Sequence, residues 1–206
     1  MAQDDRFDLA RLERLERRLQ GLEDAEAIRN LKARYAALCD AQYDADGIAM
    51  LFTEDALWES PDLGRFEGRE AIRGFFRGAS GIFSFAIHYS LNGQIEVEGD
   101  TAQARWYLFM PCTVAAGNQA MWRAGIDHET YARVDGAWMF RHKRSEPLMS
   151  VRFETGWAKT RFACHGCRAS AWRLTEKAPS RNGVGPPRKS RMKAAEEPGG
   201  LPCKVR

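Results

Sequence analysis

Long apolar runs are missing from this sequence: none approaches the roughly 20 residues that a membrane-spanning helix needs. The first residues, MAQDDRFDLARLERLERRL, are charged throughout and have no apolar centre, so they do not read as a secretory leader. Cysteine is scarce and odd in number: Cys39, Cys112, Cys164, Cys167 and Cys203. Scattered thiols of this kind make no disulfide framework, and two lie in apolar segments, which points to reduced thiols in a cytoplasm. Cys164 and Cys167 have C-x-x-C spacing, but no second ligand pair follows, so no metal is expected. Gly183-Val184-Gly185 is no phosphate loop, and no serine or cysteine sits in a nucleophile elbow.

What remains is the composition of an ordinary folded domain. The chain has 206 residues, 44% hydrophobic and 29% charged, enough for one core and a tail. Its net charge of +3 conceals a split. Residues 157–206 hold 12 Lys/Arg against 3 Asp/Glu, while the rest holds 19 against 25. Residues 180–206 are rich in Pro, Gly, Lys, Arg and Ser, which reads as a disordered basic tail. Without aromatic interleaving or a recognised binding fold, neither nucleic acid nor membrane is an expected partner.

Leu9, Leu12, Leu15, Leu19 and Leu22 recur every three or four residues and predict an amphipathic helix over about 7–22. Its leucine face is expected against the domain or a neighbouring subunit. Asp24 is expected to cap a second helix. That helix covers IRNLKARYAALCD, residues 28–40, with Ile28, Leu31, Tyr35 and Leu38 on one face. A short third helix over 46–52 ends at Thr53-Glu54-Asp55. Then come a short strand at 56–60, a hairpin partner at 66–68 and a helix at 70–78. Strands follow at 82–91, 94–98, 101–114, 119–134 and 137–151. Asn92-Gly93, Gly99-Asp100, Gly117-Asn118 and Asp135-Gly136 read as hairpin turns between them. Helices first and antiparallel strands last is the α+β pattern. The expected architecture is a cone-shaped α+β barrel, a curved antiparallel sheet closed by the N-terminal helices. The expected division is a helix at 1–22, a domain at 23–158 and a basic tail at 159–206.

Two residues fit a plain structural helix badly. Tyr35 carries a hydroxyl into the apolar stripe, where it needs a partner. Asp40 sits in the last turn, where the helix dipole disfavours an anion. His88 offers a reason for both. In FSFAIHYSL, Phe83, Phe85, Ile87, Tyr89 and Leu91 alternate with Ser84, Ala86, His88 and Ser90. The first face is expected in the core. The second, small residues around one imidazole, is expected to leave room for a ligand. The large apolar residues of 106–110 and Trp122 exceed what one interior holds, so a homo-oligomer is expected.

The segments IRNLKARYAALCD, LFTEDALWES, FEGREAIRGFF, IHYSLNGQIEVEGDTAQARWYL and TYARVDGAWMF resemble the nuclear transport factor 2-like superfamily. Within it the likeness is to the SnoaL-like branch, near the bile acid 7α-dehydratases and hexachlorocyclohexane dehydrochlorinases. The resemblance covers about residues 8–155. It implies a cone of curved sheet, commonly a homotrimer. It gives His88 the part of catalytic base, Asp40 that of the carboxylate holding it, and Tyr35 that of a hydrogen-bond donor. It implies that Trp58 and Met110 line the pocket. Asp127 stands where relatives have an aromatic residue, and either adds an acid or faces out. An arginine that relatives carry on the last strand has two counterparts, Lys143 or Arg144, according to register. The activity so implied is a cofactor-independent lyase removing water or another small group from an apolar cyclic substrate such as a hydroxy-steroid. A ketosteroid-type isomerase, a non-catalytic binding or assembly module, and the small subunit of a ring-hydroxylating oxygenase are the alternatives.

Overall fold

The structure is a computed structural model and describes residues 2–162. Helix α1 (Ala2–Asp40) runs unbroken for 39 residues. The expected boundary near Asp24 is absent. Nothing in the segment stops a helix: it has no proline, and Gly21 alone costs about 1 kcal/mol. Asp24 is no cap either. It is buried, accepts from Trp138 Nε1 at 3.1 Å and pairs with Arg133 at 2.7 Å. Helix α2 (Ala45–Ala49) is capped by Asp44, which accepts from the Gly47 backbone N–H at 3.1 Å. Thr53, Glu54 and Asp55 do not end a helix; they belong to strand β1 (Phe52–Ser60).

Strand β2 (Gly64–Glu67) forms a hairpin with β1, and α3 (Arg69–Ile82) follows. The remaining strands are β3 (Phe83–Ala86), β4 (Tyr89–Glu98), β5 (Thr101–Val114), β6 (Gln119–Val134) and β7 (Ala137–Arg152). The sheet order is β2-β1-β7-β6-β5-β3, with β4 also on β5. All neighbours are antiparallel except β1 and β7, which run parallel. Bulges at Ala124/Gly125 and Thr130/Tyr131 add twist to the longest pair. A Cβ on Gly125 would lie 2.8 Å from the Glu146 carbonyl oxygen, so the first bulge needs glycine. The sheet curls into a half-barrel, as expected for this α+β class. Ile28, Leu31 and Tyr35 of α1 and Ile72 and Phe76 of α3 join Phe52, Trp106, Tyr131 and Phe140 of the strands in one core.

Two details of the hairpin region differ from expectation. Asn92-Gly93 is not a turn. It is a bulge inside β4, with Asn92 at φ 51°. A Cβ on Gly93 would meet the Trp106 ring at 2.2 Å, so glycine is there for close packing. The segment 82–91 is also not one strand. It breaks at Ile87-His88, and the face expected in the core is mostly outside: Phe85, Tyr89 and Leu91 are 45–51% exposed. Alternation defines two faces but not which one meets the helices. Ala86, His88 and Ser90 of the small-residue side face in, joined by Phe83, while Ser84 is exposed. On the outer side, Tyr89, Phe109, Trp122 and Phe153 form a row with centroids 6.4, 5.4 and 5.7 Å apart.

Past β7 the chain stays on the sheet, beyond the expected domain end at 158. The Ser150 N–H donates to the Arg161 carbonyl at 2.7 Å. The expected disordered tail and the Cys164/Cys167 pair lie outside the described residues.

Candidate active site

Asp40 is the last residue of α1. A carboxylate at that end works against the helix dipole. Two N–H groups offset this: Asp40 Oδ1 accepts from the His88 backbone N–H at 2.9 Å and from its Nδ1 at 2.8 Å. The break between β3 and β4 frees that backbone N–H from the sheet ladder. With Nδ1–H donating to Asp40, Nε2 of the neutral ring is left as an acceptor. Among the described residues Nε2 has no hydrogen-bond partner. The ring lines a cleft between the concave sheet and the helices, about 840 Å³ including its open mouth.

Tyr35 lines the same cleft. Its hydroxyl accepts from Trp58 Nε1 at 3.1 Å, which leaves its own proton to donate. Burial pushes the phenol well above its ordinary pKa, with the neighbouring Cys39 adding to the rise, so Tyr35 stays protonated. Burial likewise pushes the Cys39 thiol up to about 12. Trp58 and Met110 also line the cleft.

Lys32, Asp127 and Lys143 line the cleft and, with Glu129 behind them, form a buried group of charges. Lys32 Nζ is 2.8 Å from Asp127 Oδ2 and 2.5 Å from Glu129 Oε1. Lys143 Nζ is 2.7 Å from Asp127 Oδ1 and 3.9 Å from Glu129 Oε1. All four side chains are at most 3% exposed. Ser145 donates to Asp127 at 2.7 Å, and the Tyr131 hydroxyl donates to Glu129. Two ammonium groups face two carboxylates, so the set is formally neutral. Burial alone would raise the Asp127 pKa, but Lys143 and Lys32 hold it far below the usual range. Burial would lower the Lys32 pKa, and Asp127 and Glu129 hold it well above the usual range.

The open questions of register are thereby answered. Asp127 faces in and is paired. Lys143 faces in. Arg144 does not: the two-residue period of β7 turns it to the opposite face, where it is exposed beside His128 and His142. Arg144 is therefore removed from the candidate pocket residues.

Lys32, Glu129 and Tyr43 were missed from sequence. Lys32 lies on the stripe between Ile28 and Tyr35, and a lysine inside an apolar stripe is a readable signal. Glu129 shares the parity of Asp127 on β6. Tyr43 gave no signal. It follows α1 at φ 58°, its ring stands edge-on to His88 at 5.9 Å, and its buried hydroxyl has no partner among the described residues. Near the mouth, Arg123 pairs with Asp62, and both are less than 20% exposed. Among the described residues no group of three or more His, Cys, Asp or Glu is set to hold a metal.

A half-barrel whose concave face opens as an apolar cleft, with an oriented imidazole near the opening and paired charges beneath, defines a small-molecule-pocket α+β domain. The chain belongs to the SnoaL-like domain family, which matches residues 20–144. A candidate aromatic ring hydroxylase from Novosphingobium aromaticivorans is 28% identical, with a TM-score of 0.60, covering 64% of this chain and 94% of that one. A hexachlorocyclohexane dehydrochlorinase, LinA-type3 from Novosphingobium barchaimii, is 22% identical, with a TM-score of 0.61 and coverage of 71% and 98%. A candidate scytalone dehydratase from N. aromaticivorans is 23% identical, with a TM-score of 0.59 and coverage of 64% and 89%. The last two likenesses are of fold. A comparison with curated proteins finds no match.

Proposed function

We propose that this chain is a cofactor-independent carbon–oxygen lyase that removes water from an apolar cyclic substrate, with a hydroxy-steroid as the class to try first. The observation that carries this reading is the 2.8 Å contact of His88 Nδ1 with Asp40, which leaves Nε2 as a base with no partner among the described residues. Nε2 takes a proton from a substrate carbon, and the C–H electrons form the new double bond. The carbon–oxygen bond breaks, and the leaving hydroxyl takes the proton now on the His88 imidazolium and departs as water, which returns the base to its starting form. Asp40 holds the tautomer and stabilises the imidazolium. The hydroxyls of Tyr35 and Tyr43 donate to oxygens that gain negative charge. This chemistry needs no metal or organic cofactor. The apolar lining, including Leu63, Phe75, Phe76 and Met149, suits a hydrophobic ring system. The relatives named as a dehydrochlorinase and a candidate dehydratase support elimination as the class.

Loss of chloride, as in a dehydrochlorinase, would use the same base, and so would moving a proton on a cyclic enone. Mass spectrometry of products separates these outcomes: dehydration loses water, and isomerisation leaves the mass unchanged. A non-catalytic binding module leaves the His88–Asp40 pair without a task. The outer aromatic row supports assembly as a homotrimer, and the buried free thiols Cys39 and Cys112 support a cytoplasmic setting. The test is a hydroxy-steroid panel with three variants. His88→Ala abolishes turnover. Asp40→Asn costs on the order of thousands-fold, as in other His–Asp pairs. Tyr35→Phe costs roughly a hundredfold, as loss of one such donor does. Full activity of His88→Ala on a substrate the parent converts overturns the mechanism.

A further inference from the structure

Among the described residues, the leucine stripe of α1 has no partner. Leu9, Leu12, Leu15, Leu19 and Leu22 are 47–71% exposed. The helix meets its own domain on another side, through Asp24, Ile28, Leu31 and Tyr35. At about 100° per residue, these two stripes point in opposite directions. An unbroken helix cannot turn its leucines onto the domain below it. Whatever covers them comes from elsewhere.

The charges around the stripe say what. Leu12, Leu15, Leu19 and Leu22 are spaced by three, four and three, the a/d spacing of a coiled coil. Taking Leu12 and Leu19 as a, the flanking e positions are Glu16 and Glu23, and the g positions are Arg11 and Arg18. In a parallel pair of identical helices, each g faces the e′ five residues on. Arg11 then faces Glu16 of the other copy, and Arg18 faces Glu23. An antiparallel pair would set Arg against Arg and Glu against Glu. All four side chains are exposed and form no ion pair among the described residues. The chain's basic tail is a poor match, because residues 9–22 also carry an excess of arginine.

We propose that α1 joins the same helix of further copies of this chain in a parallel coiled coil, with Leu12, Leu15, Leu19 and Leu22 as its seam. Arg11/Glu16 and Arg18/Glu23 pairs between copies fix direction and register. Two heptads are few for free peptides, because each must also pay helix nucleation. Here the helix is already formed by its continuation into the core. The domains lie on the far side of each helix from the seam, so they leave it open. The family match begins at residue 20, so three of the four seam leucines precede the shared domain.

The test uses the full chain. Leu12→Glu/Leu19→Glu, studied by sedimentation equilibrium, should raise the concentration of half-dissociation by roughly a thousandfold or more, because a pair of copies loses four seam leucines. Circular dichroism should show the parent's helix content, because both leucines are exposed in the protomer. Copies also held together at the outer sheet face would show the effect as this shift rather than as a change of mass. A second pair of variants tests direction. Arg11→Glu/Arg18→Glu and Glu16→Arg/Glu23→Arg should each associate weakly alone and regain the parent's association when mixed. A parent monomeric at tens of micromolar overturns the proposal. Leucine variants that dissociate as the parent does overturn it too, and assign the stripe to the tail or another partner. Two charge variants that each self-associate like the parent overturn the parallel pairing.

Discussion

Removing one charge from the buried set should cost more than removing two. Lys32→Met keeps an unbranched apolar stem and deletes the ammonium group. Asp127 and Glu129 would then share Lys143, which lies 2.7 Å from one and 3.9 Å from the other. Stranding a buried charge costs roughly 3–5 kcal/mol. In a domain of this size 1 kcal/mol moves Tm by about 2–4 °C, so the variant should melt about 6–20 °C lower. Lys32→Met/Glu129→Gln restores neutrality and should recover much of the loss. The pH dependence has a sign. In the parent the Asp127 pKa is depressed, so its contribution is present above the unfolded value of about 3.9 and is lost only as pH falls below it. The raised pKa of Lys32 contributes stability that is full below its unfolded value of about 10.4 and is lost only in alkali. Neither changes stability between pH 5 and 8. In Lys32→Met the set carries a net negative charge, so one carboxyl is raised above its unfolded value. Its contribution is full at low pH and is lost as pH rises through the raised value. The single variant should therefore lie closest to the parent near pH 5 and furthest near pH 8. Thermal melts of parent, single and double variants at both pH values decide it. A single variant within about 2 °C of the parent, or a double variant below the single, would refute coupling within the set.

Three further outcomes follow from particular contacts. Burial pushes Cys39 up to about 12 and Cys112 up to about 11, so at pH 8 both should resist a thiol reagent until the chain unfolds; rapid native labelling of either would contradict their burial. Gly93→Ala drives a methyl into the Trp106 ring and should cost about 1–3 kcal/mol in denaturant melts. Tyr43→Phe removes a buried hydroxyl without a partner, so stability should hold or rise by up to about 1–2 kcal/mol, while turnover on a found substrate should fall. Lost stability with turnover unchanged would mean that the hydroxyl serves the fold.

Much of the cleft was legible because its residues break local rules. A hydroxyl in an apolar stripe and an acid at the wrong helix end pointed to Tyr35 and Asp40. The structure sets Asp40 against His88. The floor broke a rule as well, since Lys32 stands in the same stripe, but its partners lie 95 and 97 residues away. Charge pairing at that range leaves no trace in local spacing. Alternation located the strands around His88 but inverted part of their burial. A period of two cannot say which face meets a helix, and the break at Ile87-His88 shifts its phase. The Asn92-Gly93 dipeptide was read by its turn chemistry, but the demand at Gly93 came from Trp106, thirteen residues on. The boundary drawn at Asp24 had another cause. The apolar stripe changes sides there, and in a sequence a change of side looks like a change of helix.

That change of side organises α1. Up to Leu22 its apolar face looks away from the domain; from Asp24 onward the buried face looks into it. Asp24 sits at the crossover, and its bonds to Trp138 and Arg133 tie the helix to β7 and β6. Below that tie the same face delivers Lys32 to the floor of the cleft and Tyr35 to its wall, and the helix ends at Asp40 against His88. At 1.5 Å per residue, Leu12 and Asp40 are about 42 Å apart along one rod. A helix of that length fixes rotation as well as position. The register that aligns Arg11 with Glu16 of another copy is set on the same rod that aims Asp40 at the imidazole. An insertion of one residue between Leu22 and Asp24 would turn the leucine stripe by about 100° relative to the domain, lose the Gln20–Asp24 bond and leave the contacts of α1 with the strands in place. Such a variant should keep the cleft and its chemistry while moving the seam, which separates the two duties of this helix in a single protein.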